Sequence, residues 1–385
     1  MFEFILSFLI SFALVFAIMP NVIKIAIEKK LVAHPEARSS HDIITPCLGG
    51  IPIFLGILFC SLLLTPIGEW DSLQYILSAL VIVFMIGTKD DITELSAGKK
   101  TAGLIIAIAI LVTRGEVRLE SLYDLFYISG TLPYWLSITF SVFTLLVISN
   151  AFNLIDGIDG LAGTVGIIAM LSFGTWFFVV GMAHLGILAL AAAGGLLAFL
   201  YYNISRTQKT FMGDTGALVI GTLLGVMTVE FIDICSTATI PAVYRFEHPI
   251  SVAVGILIIP LFDTIRVFVT RALRGVSPMK PDRRHIHHLL IDSNLSHIQA
   301  TFVLALVNLF FISLALYLDP VLDLHLILAI EIAAAVGLTY WLNAHARTIK
   351  RTKRQIEEAA TEAATTTAAA PASVPSQNRQ VGQPA

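Results

Sequence analysis

The stretch IDGLAGTVGIIAMLSFGTWFFVVGMAHLGILALAAAGGLLAFL (residues 158–200) decides the fold class. Asp159 is its sole Asp, Glu, Lys or Arg, and it stands at the edge. As one helix at 1.5 Å per residue the stretch would extend roughly 65 Å, about twice the ~30 Å hydrocarbon core of a bilayer. It therefore reads as two membrane-spanning helices, 158–180 and 183–200, turning near Gly181.

The rest of the chain follows the same pattern. Further apolar runs lie at 4–22, 48–64, 73–88, 102–113, 132–148, 217–231, 250–270, 302–318 and 322–342. The run 102–113 is short and must extend back through Lys99 and Lys100 as a solvated helical turn. The first run has no basic residue before it and no small-residue cleavage site, so it reads as a true span rather than a signal peptide. The expectation is an all-α, polytopic membrane protein with eleven spans.

Composition agrees. The 385 residues are 56% hydrophobic and 13% charged, with a mean hydropathy of +0.84. A soluble domain carries about 25% charged residues. A soluble enzyme, a disordered chain and a disulfide-rich module are excluded. Cys47, Cys60 and Cys235 are too few and too scattered for a disulfide framework or a zinc site. The net charge of −3 gives no footprint for nucleic acid.

Eleven spans put the termini on opposite sides. Of the 24 basic residues, all but Arg114, Arg118 and Arg245 then fall on the side of the C-terminus. By the positive-inside rule that side is cytoplasmic and the N-terminus is extracytoplasmic. Residues 1–343 read as the transmembrane catalytic domain. Residues 344–385 read as a cytoplasmic basic segment followed, from Ala359, by a disordered tail rich in Ala, Thr, Pro and Gln.

Polar clusters at the ends of apolar helices are costly and point to function. Asp90-Asp91 ends the third run, where adjacent carboxylates repel and a cation would relieve them. The competing reading is a pair of solvated helix-end charges. Asn150-Ala-Phe-Asn-Leu-Ile-Asp-Gly-Ile-Asp-Gly-Leu-Ala-Gly163 repeats Asn150, Asn153, Asp156 and Asp159 every third residue, which keeps them neighbours on a helical turn. Their hard oxygens suit Mg²⁺ and exceed any capping need.

Phe211-Met-Gly-Asp-Thr-Gly216 offers Asp214 as a helix cap or as a metal ligand facing an anion. The long loop after Arg271 carries Arg283, Arg284, His285, His287 and His288, a patch suited to phosphate. Its rivals are a lipid-headgroup anchor and a zinc site. Asp263 and Arg266 lie i,i+3 and read either as part of the site or as a self-neutralising pair. Glu230 and Glu331 stay unassigned.

All these clusters, with the Thr45-Pro-Cys-Leu-Gly-Gly50 loop, fall on the cytoplasmic side. Carboxylates, amides, a lysine pair and a His/Arg loop on one face are the parts of metal-assisted phosphoryl transfer from a cytosolic donor. A transporter of cations or nucleotide sugars would instead gather charge at the midplane around broken helices.

Asp90-Asp91 with Lys100, the segment 150–163, the segment 211–216, Asp263 and His285-Ile-His-His288 together resemble the polyprenyl-phosphate N-acetylhexosamine-1-phosphate transferase family, of glycosyltransferase family 4 type. The signatures run in family order over about residues 45 to 290. The His-Ile-His-His form after Pro281-Asp-Arg-Arg resembles the undecaprenyl-phosphate N-acetylglucosaminyl 1-phosphate transferase branch, which starts O-antigen, enterobacterial common antigen or teichoic-acid linkage synthesis. The peptidoglycan branch, which transfers phospho-MurNAc-pentapeptide, has a different histidine loop. Leu104 and Ala217 stand where the family often has Gln and Ser.

The resemblance implies a bacterial inner-membrane enzyme with its site facing the cytoplasm. A UDP-N-acetylhexosamine, UDP-GlcNAc foremost, would give its sugar-1-phosphate to undecaprenyl phosphate and release UMP. It implies Mg²⁺ or Mn²⁺, with Asn153 and Asp214 as metal ligands. It implies catalytic roles for Asp90, Asp91, Asp156, Asp159, His285, His287 and His288. Substrate binding would fall to Thr45, Lys100, Asn150, Asp263, Arg283 and Arg284. It leaves room for a homo-oligomer in the bilayer.

Overall fold

In the computed structural model the described residues are 2–33, 45–128, 130–236, 240–275 and 285–368. Within them the chain is helical. Its elements are α1 (Phe2–Glu28), α2 (Gly50–Leu64), α3 (Leu73–Ile92), α4 (Ala97–Thr113), α5 (Tyr134–Ile155), α6 (Leu161–Val180), α7 (Ala183–Asn203), α8 (Gly213–Ser236), α9 (Pro249–Ile256), α10 (Ile258–Ala272), α11 (Ile286–Asp292), α12 (His297–Leu318) and α13 (Leu324–Ala368). One two-residue ribbon pairs β1 (Val32–Ala33) with β2 (Thr45–Pro46).

Every apolar run of the sequence lies on a helix. Seven helices are long and apolar enough to cross a membrane, and eight if the bent pair ending in α9–α10 is one span. The runs at 48–64, 73–88 and 102–113 also fold as helices, of 15, 20 and 17 residues. The turn between α6 and α7 is at Gly181, which closes α6 with a positive φ of 83°. That conformation favours glycine.

The centre of the bundle is α8. Every residue from Thr215 to Val229 is buried, as expected for a helix that is apolar all round. It packs against α5, α3 and α2. A Cβ on Gly221 would strike the backbone of Ser149 in α5, and Ser149 and Thr222 share a hydroxyl bond of 3.1 Å across the same contact. Small residues that bring helix backbones together, joined by an interhelical hydrogen bond, are what packing in lipid requires.

Two features depart from expectation. The ninth run is not one helix but two, α9 and α10, bent by 68° about Leu257. Pro260 has no N–H to give the Ile256 carbonyl and crowds it. The Asn308 amide of α12 donates to that carbonyl at 3.0 Å and to Gly255 at 3.3 Å. The second departure is the tail. Where composition predicts disorder from Ala359, α13 continues to Ala368, because Ala and Glu are strong helix formers. Residues 369–385 lie outside the described residues.

Candidate active site

The floor of the site is the entrance to α8. Main-chain bonds stitch the 46–50 loop to it: Phe211 N donates to Pro46 O at 2.7 Å, Gly49 N to Phe211 O at 3.0 Å and Gly50 N to Met212 O at 2.8 Å. Gly213 has a φ of +70°, and a Cβ there would run into Cys47 O and the Asp91 carboxylate.

Asp91 is spent on this entrance. One of its oxygens accepts from Asp214 N at 2.7 Å, and the other from Thr215 N at 3.0 Å and Thr215 Oγ1 at 2.5 Å. It caps α8 from a different helix and places a negative charge at its positive end. Asp91 also lines the cleft, and these bonds hold Asp214 in place beside it.

Its neighbour Asp90 takes the Leu95 amide at 2.6 Å on one oxygen and the Lys100 ammonium at 3.0 Å on the other. Lys100 also donates to Asp214 Oδ1 at 2.5 Å. The same Asp214 oxygen accepts from Asn153 Nδ2 at 2.7 Å. So α3, α4, α5 and α8 each bring one polar group to a single point.

From there a cleft of about 400 Å³ opens past Asn153, Asp156, Gly157 and Asp159 toward His288 and His297. Asp156 closes the end of α5 and lines this cleft. At its far side Asp159 Oδ2 meets Lys209 Nζ at 2.6 Å and His297 Nδ1 at 3.0 Å.

The histidine loop is fixed from below by Asp263. Its Oδ1 accepts from Arg266 at 2.9 Å and from Ile286 N at 2.9 Å, while Oδ2 lies 2.9 Å from His285 Nδ1. The self-neutralising pair read from the sequence exists, but it also anchors α11. Asp263 is not among the residues that line the cleft, and it positions His285. His287 is buried with its ring against Gly157. His288 packs on His287, ring centres 4.3 Å apart, and reaches the cleft wall.

Other expected contacts are not brought to the cleft. Asn150 donates back to Leu146 O at 2.8 Å within α5 and does not line the cleft, so the three-residue repeat starts one step too early. Thr45 is buried in β2, away from the walls. Arg283 and Arg284 lie outside the described residues.

The structure adds three residues that sequence reasoning passed over: Lys209, His297 and Asn203. Asn203 Oδ1 accepts from Gly160 N at 2.6 Å and holds that glycine at φ +84°. The available signal for His297 was the capping box of Ser296 and Gln299, which starts α12 at that residue.

Residues 73–232 match the glycosyl transferase family 4 domain. A probable undecaprenyl-phosphate N-acetylglucosaminyl 1-phosphate transferase of Bacillus subtilis is 29% identical over 313 residues, 81% of this chain and 84% of that one. The undecaprenyl-phosphate alpha-N-acetylglucosaminyl 1-phosphate transferase of Escherichia coli K12 is 31% identical over 293 residues, 74% of this chain and 75% of its own. The chain belongs to glycosyl transferase family 4. A third relative in the family, the decaprenyl-phosphate N-acetylglucosaminephosphotransferase of Mycolicibacterium smegmatis, is 30% identical over 303 residues, 73% of this chain and 74% of that one.

The electrostatics of this family 4 site are those of crowded carboxylates. Burial, with the charges of Asp214, Asp91 and Asp159, pushes Asp156 up to about 7. Burial, reinforced by Asp214 and opposed by the Thr215 bonds, pushes Asp91 to about 6. Burial also works to raise Asp90, but its contacts with Asp214, the Leu95 amide and Lys100 outweigh it and hold the group below the ordinary carboxylate value. Burial works the same way on Asp159, and His297 and Lys209 overcome it.

Among the described residues no three His, Cys, Asp or Glu side chains are arranged as a ready metal cage. The donor set nonetheless fits a hard divalent cation that keeps most of its ligands from water and substrate phosphate. Asn153 and Asp214 are in contact, Asp156 is on the same wall, and the carboxylates carry a repulsion that a cation would relieve.

Proposed function

We propose that this family 4 enzyme transfers N-acetylglucosamine-1-phosphate from UDP-GlcNAc to undecaprenyl phosphate and releases UMP. It does so on the cytoplasmic face of a bacterial plasma membrane, as the first membrane step of a cell-envelope polysaccharide. The observation that carries this reading is the contact of Asn153 with Asp214, 61 residues on, beside Lys100 in a carboxylate-walled cleft. The names of the relatives favour the N-acetylglucosaminyl donor over a muramyl one. Eleven spans, with the N-terminus outside and the C-terminus inside, would put every segment of the cleft on one side of the bilayer.

Asn153, Asp214 and Asp156 would hold Mg²⁺ or Mn²⁺. When bound, that ion would neutralise the donor pyrophosphate and the charge developing on the leaving nucleotide. Lys100, kept charged by its two carboxylates, supplies a second cation beside them. Asp90 orients rather than deprotonates. A phosphate monoester has a second pKa of about 6, so the lipid nucleophile is already largely ionised at neutral pH. A carboxylate tied to Lys100 and Leu95 is also a weak base. Asp159 and His297 form the far wall, with Lys209 paired to Asp159, and the nucleotide end of the donor would lie there. His288, on the cleft wall, would reach the phosphates.

The test is a donor panel in detergent with undecaprenyl phosphate and Mg²⁺, read as lipid-linked sugar and as UMP. UDP-GlcNAc should give both. Product from UDP-MurNAc-pentapeptide alone would move the enzyme to the peptidoglycan branch, and no UMP from any donor would favour a transporter. In this reading the lipid phosphate attacks the donor's β-phosphorus directly and UMP leaves; a labelled phospho-enzyme trapped without acceptor would refute that in favour of a double displacement.

A further inference from the structure

A second polar cavity, of about 350 Å³, lies between α10, α11 and α13. Three guanidinium groups line it: Arg266, Arg274 and Arg347. Among the described residues its walls hold no carboxylate, and Thr270 and Asn343 add neutral polar groups. Among the described residues Arg274 and Arg347 make no ion pair or side-chain hydrogen bond. Asp263 holds one amino group of Arg266 at 2.9 Å.

The cavity shares no wall with the catalytic cleft. It does share Phe262 and Thr339 with an apolar groove between α10, α12 and α13, lined by Ile259, Val307, Phe311 and Leu338. Tyr340 and Trp341, 78% and 60% exposed, stand beside both. Exposed aromatic rings next to arginines mark the level of the lipid headgroups.

We infer that the cavity is a binding site for the headgroup of an anionic glycerophospholipid. Arg266, Arg274 and Arg347 grip the phosphate, and one acyl chain lies in the groove beyond Phe262. Basic pockets between membrane helices on the cytoplasmic side select such headgroups, and guanidinium forks match phosphate oxygens. The polyprenyl phosphate acceptor is not the occupant. Its phosphorus must reach the carboxylate cleft, and three arginines would quench the oxygen that has to attack. The site is coupled to the reaction through Arg266, because that side chain also holds Asp263, and Asp263 holds His285.

The experiment is lipid retention by the full-length protein in detergent, read by native mass spectrometry and by the shift in thermal midpoint on titration. Phosphatidylglycerol should be retained and phosphatidylcholine lost. Arg274→Gln and Arg347→Gln should each weaken retention by about fivefold and the double variant by roughly twenty-five-fold. Arg206→Gln, a basic residue on the same side but outside the cavity, should match wild type.

Glycerol phosphate at equal concentration should give no shift, since it lacks the chain; an equal shift would make the cavity a free-phosphate site and overturn the lipid assignment. Displacement of phosphatidylglycerol by undecaprenyl phosphate would overturn it in favour of an acceptor site. Unchanged retention in both single variants would end it outright. The readout is binding alone, so its failure is distinct from failure of the proposed transfer reaction.

Discussion

Lys100 Nζ lies 2.5 Å from Asp214 Oδ1, joining the first turn of α4 to the entrance of α8. With Asp90 at 3.0 Å on its other side, the ammonium sits where two carboxylates would otherwise face each other. Lys100→Met should lower turnover by about a hundredfold or more, the scale of losing one fixed charge beside a reacting phosphate. It should also lower the Mg²⁺ concentration for half-maximal activity, because a competing cation is gone. A Mg²⁺ titration of both proteins checks this; wild-type turnover in the variant would refute it. Arginine should not rescue, since its planar fork does not replace a compact ammonium.

Asp214→Asn should leave the fold intact and reduce turnover by orders of magnitude. Its metal requirement should shift upward. Assays from micromolar to millimolar Mg²⁺, with chelator as the zero point, measure both. Wild-type activity at limiting Mg²⁺ would remove Asp214 from the metal site.

Asp91→Asn should behave differently from its neighbours. Asp91 accepts three bonds at the start of α8, and an amide can serve only part of them. A stability loss of about 1–2 kcal/mol is expected, as for a lost helix cap. The thermal midpoint in detergent should drop, while Asp214→Asn leaves it near wild type. Equal midpoints for the two variants would contradict the capping role.

His287 gives a pH signature. Burial, together with the charge of His288, pushes its ring down to about 3, whereas an unfolded histidine titrates near about 6.5. Below that value the unfolded chain binds a proton that the folded chain refuses. Stability from this group is thus complete above about 6.5 and falls with acidification, by about 1.4 kcal/mol at one pH unit below. Thermal midpoints at pH 7.5 and 5.5 should diverge more for wild type than for His287→Gln. Parallel curves would show that the ring titrates freely.

Much of this was legible in the chain. Apolar length alone places the helices, and the turn at Gly181 follows from the length of the run around it. That the clusters of Asn153 and Asp214 share one face follows from the positions of the oxygen-rich helix ends, while pairing those two residues rested on the family resemblance. The break at Leu257 was half legible: Pro260 announces it, but the Asn308 side chain that accepts the consequence comes from another helix 52 residues on. The split of Asp90 from Asp91 was not legible at all. Two identical adjacent side chains carry no local sign of which will cap a helix more than a hundred residues later. Lys209 carried no sign for a related reason, and the capping box that marks His297 as a helix start says nothing of its partner: each acquires meaning only through Asp159.

That last triad bears on how the protein is made. The cleft draws its walls from Cys47 through His297, so a nascent chain still lacking α12 has Asp159 without its imidazole partner. The cleft is therefore complete only when α12 has joined the earlier helices, so its last wall is also the last to be synthesised.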